Sequence, residues 1–156
     1  MEIRKFKKGD ENELWKLFYN TIHKVNIRDY NNDQINAWAP QSLDLNIAKN
    51  KFREISPFIV AINGIIVGYA DIQDDGLIDH FYCHYKHQRN GIGSKLFAAI
   101  LKEANNKGIS LMYSNVSITA RPFFEAKGFI VEKEQILKLE DQELKNYRMV
   151  RRVSES

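Results

Sequence analysis

Gln88-Arg89-Asn90-Gly91-Ile92-Gly93 follows an apolar strand-forming run, Leu77 to Cys83, and leads into a stretch with helical periodicity. Ile92, Leu96, Phe97, Ile100, Leu101 and Ala104 fall on one stripe of that helix. A loop so placed presents unpaired backbone N–H groups at a helix start, where phosphate is favoured. Arg89 adds a cation, and Gly91 and Gly93 let the backbone approach a ligand closely. The segment reads as a pyrophosphate cradle. Standing alone it competes with a plain strand-to-helix turn that happens to hold two glycines and an arginine.

Upstream, Ile3 to Phe6 predicts a short strand, and Asp10 with Glu13 forms a capping-box pattern opening a helix buried through Leu14, Leu17, Phe18, Thr21, Ile22 and Val25. Asn32 to Trp38 predicts a helical turn or two stopped by Pro40, and Leu43 to Phe52 a further helix. Phe58 to Ile62 and Ile65 to Ile72 are β-branched runs joined by Asn63-Gly64, a strong hairpin signal. Asp74-Asp75-Gly76 supplies the next turn, into the strand Leu77 to Cys83. Downstream, Gly108 stops the long helix, and a right-handed crossover lays Leu111 to Val116 parallel to that strand. Ala120 to Lys127 predicts a short helix ended by Gly128, and Phe129 to Leu139 with Asn146 to Val153 a final hairpin. The expected architecture is α/β, a mixed central sheet of about six to seven strands with helices on both faces. The ligand crevice lies beside the carboxyl end of the strand before the glycine loop.

Composition narrows the function classes. The chain has 156 residues, a net charge of +3 and one cysteine, Cys83, so no internal disulfide and no multi-cysteine metal site is available. No stretch approaches the roughly 20 apolar residues of a membrane span. The start, Met1-Glu2-Ile3-Arg4-Lys5-Phe6, has no signal-peptide h-region, and the expected location is cytoplasmic. His23, His84 and His87 have no metal-ligand spacing with a carboxylate, so no metal is expected. Lys133, Lys138, Lys145, Arg148, Arg151 and Arg152 could form a nucleic-acid face, but Glu132, Glu134, Glu140, Asp141 and Glu143 interrupt it. The glycine loop lacks the Gly-Lys-Ser/Thr of a Walker motif and the first glycine and acidic partner of a dinucleotide fingerprint.

Taken together, these residues resemble the GCN5-related N-acetyltransferase (GNAT) family, and the resemblance runs from the opening strand to the final hairpin. Gln88, Gly91 and Gly93 match its acetyl-CoA loop, Gln/Arg-x-x-Gly-x-Gly/Ala. Ser117, Ala120, Phe123, Phe124, Gly128 and Phe129 occupy, at the same spacing, the positions of a second signature, Asn-x-x-Ala-x-x-Leu/Phe-Tyr-x-x-x-Gly-Phe, with Ser117 in place of its asparagine and Phe124 in place of its tyrosine. Tyr30, Gln34 and Ala37-Trp38-Ala39-Pro40 are similar to a bacterial subgroup of uncharacterised acetyltransferases. The resemblance implies one N-acetyltransferase domain over residues 1–156. It also implies acetyl-CoA as cosubstrate, its pyrophosphate on the N–H groups of Arg89, Asn90, Gly91, Ile92, Gly93 and Ser94. The pantetheine would run along the open edge of Phe81, Tyr82 and Cys83, near Ser117, Phe123 and Phe124.

Acetyl transfer to an amine needs a base, because an ammonium has no lone pair. Strand alternation puts Leu77, Asp79, Phe81 and Cys83 on one face, and Ile78, His80 and Tyr82 on the other. The resemblance places a base at the positions of Leu77 or Asp79, so Asp79 ranks first as base or water-orienting group, His80 second and Tyr82 third. Covalent transfer through Cys83 ranks below direct transfer. Phe124 stands where many relatives have the tyrosine that protonates the leaving thiolate, which leaves water or another hydroxyl, that of Tyr82, Tyr113 or Ser117, as donor. A small-molecule amine is the expected acceptor, with Tyr30 and Trp38 lining its pocket and Trp15, Tyr19, His23 and Tyr147 nearby. A non-catalytic acyl-CoA-binding module is the alternative, and edge strands of the final hairpin could support a homodimer.

Overall fold

The computed structural model describes residues 1–41 and 44–154. In chain order the elements are β1 (Glu2–Lys5), α1 (Glu11–Lys24), α2 (Asn32–Trp38), α3 (Leu45–Ile55), β2 (Phe58–Ile62), β3 (Ile65–Ala70), β4 (Phe81–Cys83), α4 (Ile92–Asn106), β5 (Leu111–Ser117), α5 (Arg121–Ala126), β6 (Ile130–Leu139) and β7 (Gln142–Arg152). Strands β1-β2-β3-β4 form one antiparallel sheet and β5-β7-β6 another. The mixed sheet expected from the sequence is thus two antiparallel sheets joined by one parallel bridge, Leu77 to Tyr113. There the Ile78 N–H donates to the Tyr113 carbonyl at 2.8 Å and the Tyr113 N–H to the Gly76 carbonyl at 3.0 Å. A Cβ on Gly76 would lie 2.1 Å from the Leu111 carbonyl oxygen, so glycine is needed for the sheets to meet.

Helices cover both faces. Leu14, Leu17, Ala48, Phe52 and Ile55 of α1 and α3 pack on Ile59, Ile66 and Tyr69. On the opposite face the α4 stripe, Ile92, Leu96, Phe97, Ile100 and Ala104, buries against Val60, Val67, Met112 and Met149, and Phe124 of α5 joins that core. No helix among the described residues is long and apolar enough to cross a membrane.

Several expectations change in detail. Asp10 precedes α1 but does not cap it. Its carboxylate instead takes two bonds from Arg4, at 2.8 and 3.0 Å, and one from the Lys7 N–H at 2.9 Å. Glu13 accepts from the Ile66 N–H at 2.7 Å, tying α1 to β3. A true capping box occurs at α2, between Asn31 and Gln34. Leu43, the expected start of the third helix, lies outside the described residues, and α3 runs on to Ile55.

The largest correction concerns the strand predicted over Leu77 to Cys83, of which only Phe81–Cys83 is regular. The Asp71 N–H donates to the His80 carbonyl at 3.2 Å and the Gln73 N–H to the Leu77 carbonyl at 2.8 Å. An unbroken ladder through the first pair would set Gln73 opposite Ile78, so this side carries one extra residue, a β-bulge. The buried Asp71 carboxylate satisfies the N–H groups the bulge displaces. Its Oδ1 accepts from the Asp79 N–H at 3.0 Å and the His80 N–H at 2.6 Å, while Oδ2 accepts from Gln73 Nε2 at 2.6 Å. Alternation therefore fails across the bulge: Ile78 turns into the α4 core with Phe81, and Asp79 turns with His80 toward α1 and α3.

Asp71→Ala leaves two part-buried N–H groups without an acceptor and is expected to cost roughly 1–3 kcal/mol by urea denaturation. Burial pushes the Asp71 carboxyl up to about 6 from 3.8. As pH rises the unfolded chain therefore ionises first, so the Asp71 contribution falls between pH 3.8 and about 6 and is flat above. The stability of the wild type relative to Asp71→Asn is expected to decline over that window; a difference independent of pH would contradict the buried carboxylate.

Candidate active site

Bringing Asp79 and His80 to one side builds a cavity of about 420 Å³ between the sheets, lined by both, by Tyr82, Phe18, Tyr30 and Trp38, and by Ser117 and Asn146 of the second sheet. Asp79 is exposed at its mouth and paired with Lys51 of α3, Nζ to Oδ2 at 2.5 Å. His80 is wedged among Phe18, Phe52 and Tyr69. Burial lowers its imidazole to about 4, with Asp79 acting upward and Lys51 downward, so the ring is neutral near pH 7. Its Nδ1 lies 2.9 Å from the hydroxyl of Tyr69. Tyr69 is fully buried, and burial, reinforced by Tyr82, Asp71 and Asp79, raises its phenol well above the ordinary value. A buried phenol keeps its proton and needs an acceptor for it, and Nδ1 is that acceptor. The remaining proton of a neutral imidazole then sits on Nε2.

Tyr82 packs edge-on against Phe18, and burial, with Asp79 adding, raises its phenol above the ordinary range. Neither tyrosine ionises near neutral pH. Burial also pushes the Cys83 thiol up to about 12, which removes the thiolate a covalent route would need. Of the remaining proton donors, Tyr113 is turned away, its hydroxyl donating to Asp75 at 2.6 Å. Ser117 Oγ accepts from the Ala120 N–H at 3.0 Å and from Asn26 Nδ2 at 3.4 Å. Tyr30 is buried, donating to the Lys145 carbonyl at 2.5 Å and accepting from the Ile118 N–H at 3.0 Å, with its ring edge-on to Trp38. Trp15, Tyr19, His23 and Tyr147 do not line the cavity.

Beyond the bridge, β4 and β5 separate. His80 and His84 bond to β3 and Tyr82 pairs with Tyr69, so antiparallel geometry turns the backbone groups of Phe81 and Cys83 to the open side. The Cys83 carbonyl is already engaged, by Thr21 Oγ1 at 3.0 Å and Gln88 Nε2 at 2.8 Å. Gln88 thus ties the loop to the strand end. At the far side the Phe81 ring meets Phe123 at 5.1 Å and Phe124 at 5.6 Å between centroids.

At the loop, Gly91 has φ of 81° with open space around it, so conformation alone selects glycine there. Gly93 answers to packing: a Cβ would sit 2.8 Å from the Phe123 ring. The missing side chain of Gly93 thus admits Phe123, while its backbone N–H stays on the first turn of α4. Arg89 also takes a left-handed φ, 66°, and Arg89, Asn90 and Ser94 are exposed at the start of α4. The N–H groups of the first turn, Ile92 to Ser94, open outward there. Lys127, not singled out in the sequence, donates to Ser94 Oγ at 2.8 Å and puts a second cation beside the cradle. Its place on the turn after a short helix gave no periodic signal.

Residues 26–149 match the acetyltransferase (GNAT) domain family. The chain is 28% identical over 135 residues to YafP, an uncharacterised N-acetyltransferase of Escherichia coli (strain K12), covering 86% of this chain and 85% of the relative. Its fold superposes on a GCN5-related N-acetyltransferase from Rhodopseudomonas palustris with a TM-score of 0.92, at 22% identity over 97% of this chain and 94% of the other. On PaiA N-acetyltransferase from Thermoplasma acidophilum, solved in complex with coenzyme A, the TM-score is 0.77, at 16% identity over 97% and 98%. The chain belongs to the GNAT acetyltransferase family.

Gly93→Ala forces Phe123 off its contact and is expected to cost about 1–3 kcal/mol in chemical denaturation. Phe123→Leu in the same chain is expected to recover most of that loss. Additive losses in the double variant would contradict the packing role of Gly93.

Proposed function

We propose that residues 1–156 form one domain that transfers the acetyl group of acetyl-CoA directly to a primary amine of a small molecule. The observation that carries this reading is the shared location of three features: an exposed helix start flanked by Arg89 and Lys127, an open strand edge leading from it, and a cavity holding Asp79 and His80 at the other end. Pyrophosphate is stabilised by the N–H groups of the first turn of α4 and by the two cations. The pantetheine amides add to the open edge at Phe81 and the Cys83 N–H as a further strand would. PaiA's complex with coenzyme A supports the same cosubstrate for this chain.

In this reading Asp79 takes the proton of the incoming ammonium, directly or through a water, and Lys51 holds its carboxylate at the cavity mouth. His80 is a donor and not a base: its Nε2–H faces the reacting carbonyl and stabilises the oxygen as it gains charge, while Tyr69 holds the tautomer. The amine nitrogen forms the new C–N bond, the C–S bond breaks, and the nitrogen's second proton passes, directly or through water, to the departing sulfur, so that CoA leaves as the thiol without a tyrosine at position 124. A thiolate with a pKa near about 8.5 is a tolerable leaving group.

Acetyl-CoA and CoA are expected to raise the melting temperature, and Gly91→Glu to abolish the rise by blocking the helix start. Amine-dependent release of CoA is expected to follow. Asp79→Asn should lower kcat roughly 100-fold or more while the thermal shift persists. A full thermal shift without amine-dependent turnover would favour the non-catalytic acyl-CoA-binding module. An unchanged kcat in Asp79→Asn would remove Asp79 from the mechanism.

A further inference from the structure

The acceptor end of the cavity has a composition narrower than "an amine" requires. Its near wall carries the rings of Phe18, Tyr30, Trp38 and Tyr82, and Leu77, Ile78, Ile136, Leu137 and Leu144 complete the apolar lining. Its far wall is the second sheet, where Ser117, Asn146 and Gln135 lie side by side across β5, β7 and β6. The outer two of these are engaged: Ser117 with the turn into α5, and Gln135 Nε2 donating to Asn115 Oδ1 at 2.7 Å. Asn146 Oδ1 is buried with no hydrogen-bond partner. Among the described residues, Asp79 is the one acidic side chain on the lining, and no lysine or arginine lines the cavity.

Each of these features constrains a ligand. A carboxylate or phosphate on the acceptor would be taken from water with no cation on the lining to meet it, Lys51 at the mouth being already paired with Asp79, at a large cost. A second or third ammonium would be held by one carboxylate already shared with Lys51. Flat rings match the walls, and the bare Asn146 oxygen requires a donor. Resting on the acetyltransferase reading, we propose that the acetyl acceptor is a compact aromatic monoamine without a carboxylate or phosphate, its ring between Trp38 and Phe18 and one N–H donated to Asn146 Oδ1.

Three probes separate this class from its neighbours: tryptamine, tryptophan, which adds a carboxylate to the same skeleton, and spermidine, which adds charge without a ring. Protein saturated with CoA is titrated with each by calorimetry, and turnover with acetyl-CoA is followed by thiol release. Tryptamine is expected to bind and to be acetylated with kcat/KM at least about 10-fold above the other two. Asn146→Leu is expected to raise the tryptamine KM roughly 5-fold with kcat little changed and the CoA thermal shift intact. Preference for tryptophan or spermidine, or no binding of tryptamine to protein that CoA does stabilise, would overturn the proposal alone. Absence of any stabilisation by CoA would overturn the acetyltransferase reading itself, and the acceptor proposal with it.

Discussion

The site depends on one buried carboxylate. Asp71, 1% exposed, accepts the backbone N–H groups of both Asp79 and His80 and so completes a β-bulge that an aliphatic residue would leave with bare donors. Adjacent residues of an ordinary strand face opposite sides of a sheet. The extra residue cancels that rule, and Asp79 and His80 come to line the same cavity. Ionised carboxylate is poorly tolerated in such a setting, which is why burial lifts the Asp71 value, yet three donors hold the group in place. Gln73 also donates to the Ile55 carbonyl at the end of α3, the helix that carries Lys51. Bulge, helix and ion pair are therefore one connected unit.

A second constraint is the single bridge between sheets. The parallel contact at Leu77 and Tyr113 is closed by Gly76 against Leu111, and beyond it Phe81–Cys83 and the end of β5 go separate ways. Phe123 and Phe124 pack against Phe81 on the side of the gap away from the cavity. The aromatic side chain at position 124 thus packs into the core, 3% exposed. Exposure of an edge strand inside a fold is costly unless something pairs it, and the backbone of β4 is a ready partner for an extended amide-bearing ligand.

Much of this was legible in the sequence because it rests on local rules. The α4 stripe, the Asn63-Gly64 hairpin and the stop at Gly108 follow from periodicity and turn chemistry, and the structure has all three. The family was legible because two spaced signatures fell on the right elements. The bulge was not: Leu77 to Cys83 alternates acceptably as a strand, and the residue that interrupts it, Asp71, sits across the sheet on another stretch of chain. Asp10 misled for a similar reason, since Arg4, six residues back, competes for the carboxylate that would otherwise cap α1. Lys51, Tyr69 and Asn146 gained their roles only from partners distant in sequence or from burial, which no spacing records.

The central claim, that a capped bulge sets Asp79 beside a buried neutral His80, is tested most directly by NMR titration of the His80 ring in wild type and Asp79→Asn. The account predicts a wild-type ring that is still neutral at about pH 5, with Nε2 protonated, and a value displaced further downward when the carboxylate charge is removed. A ring that titrates near its ordinary 6.5, indifferent to Asp79→Asn, would contradict it.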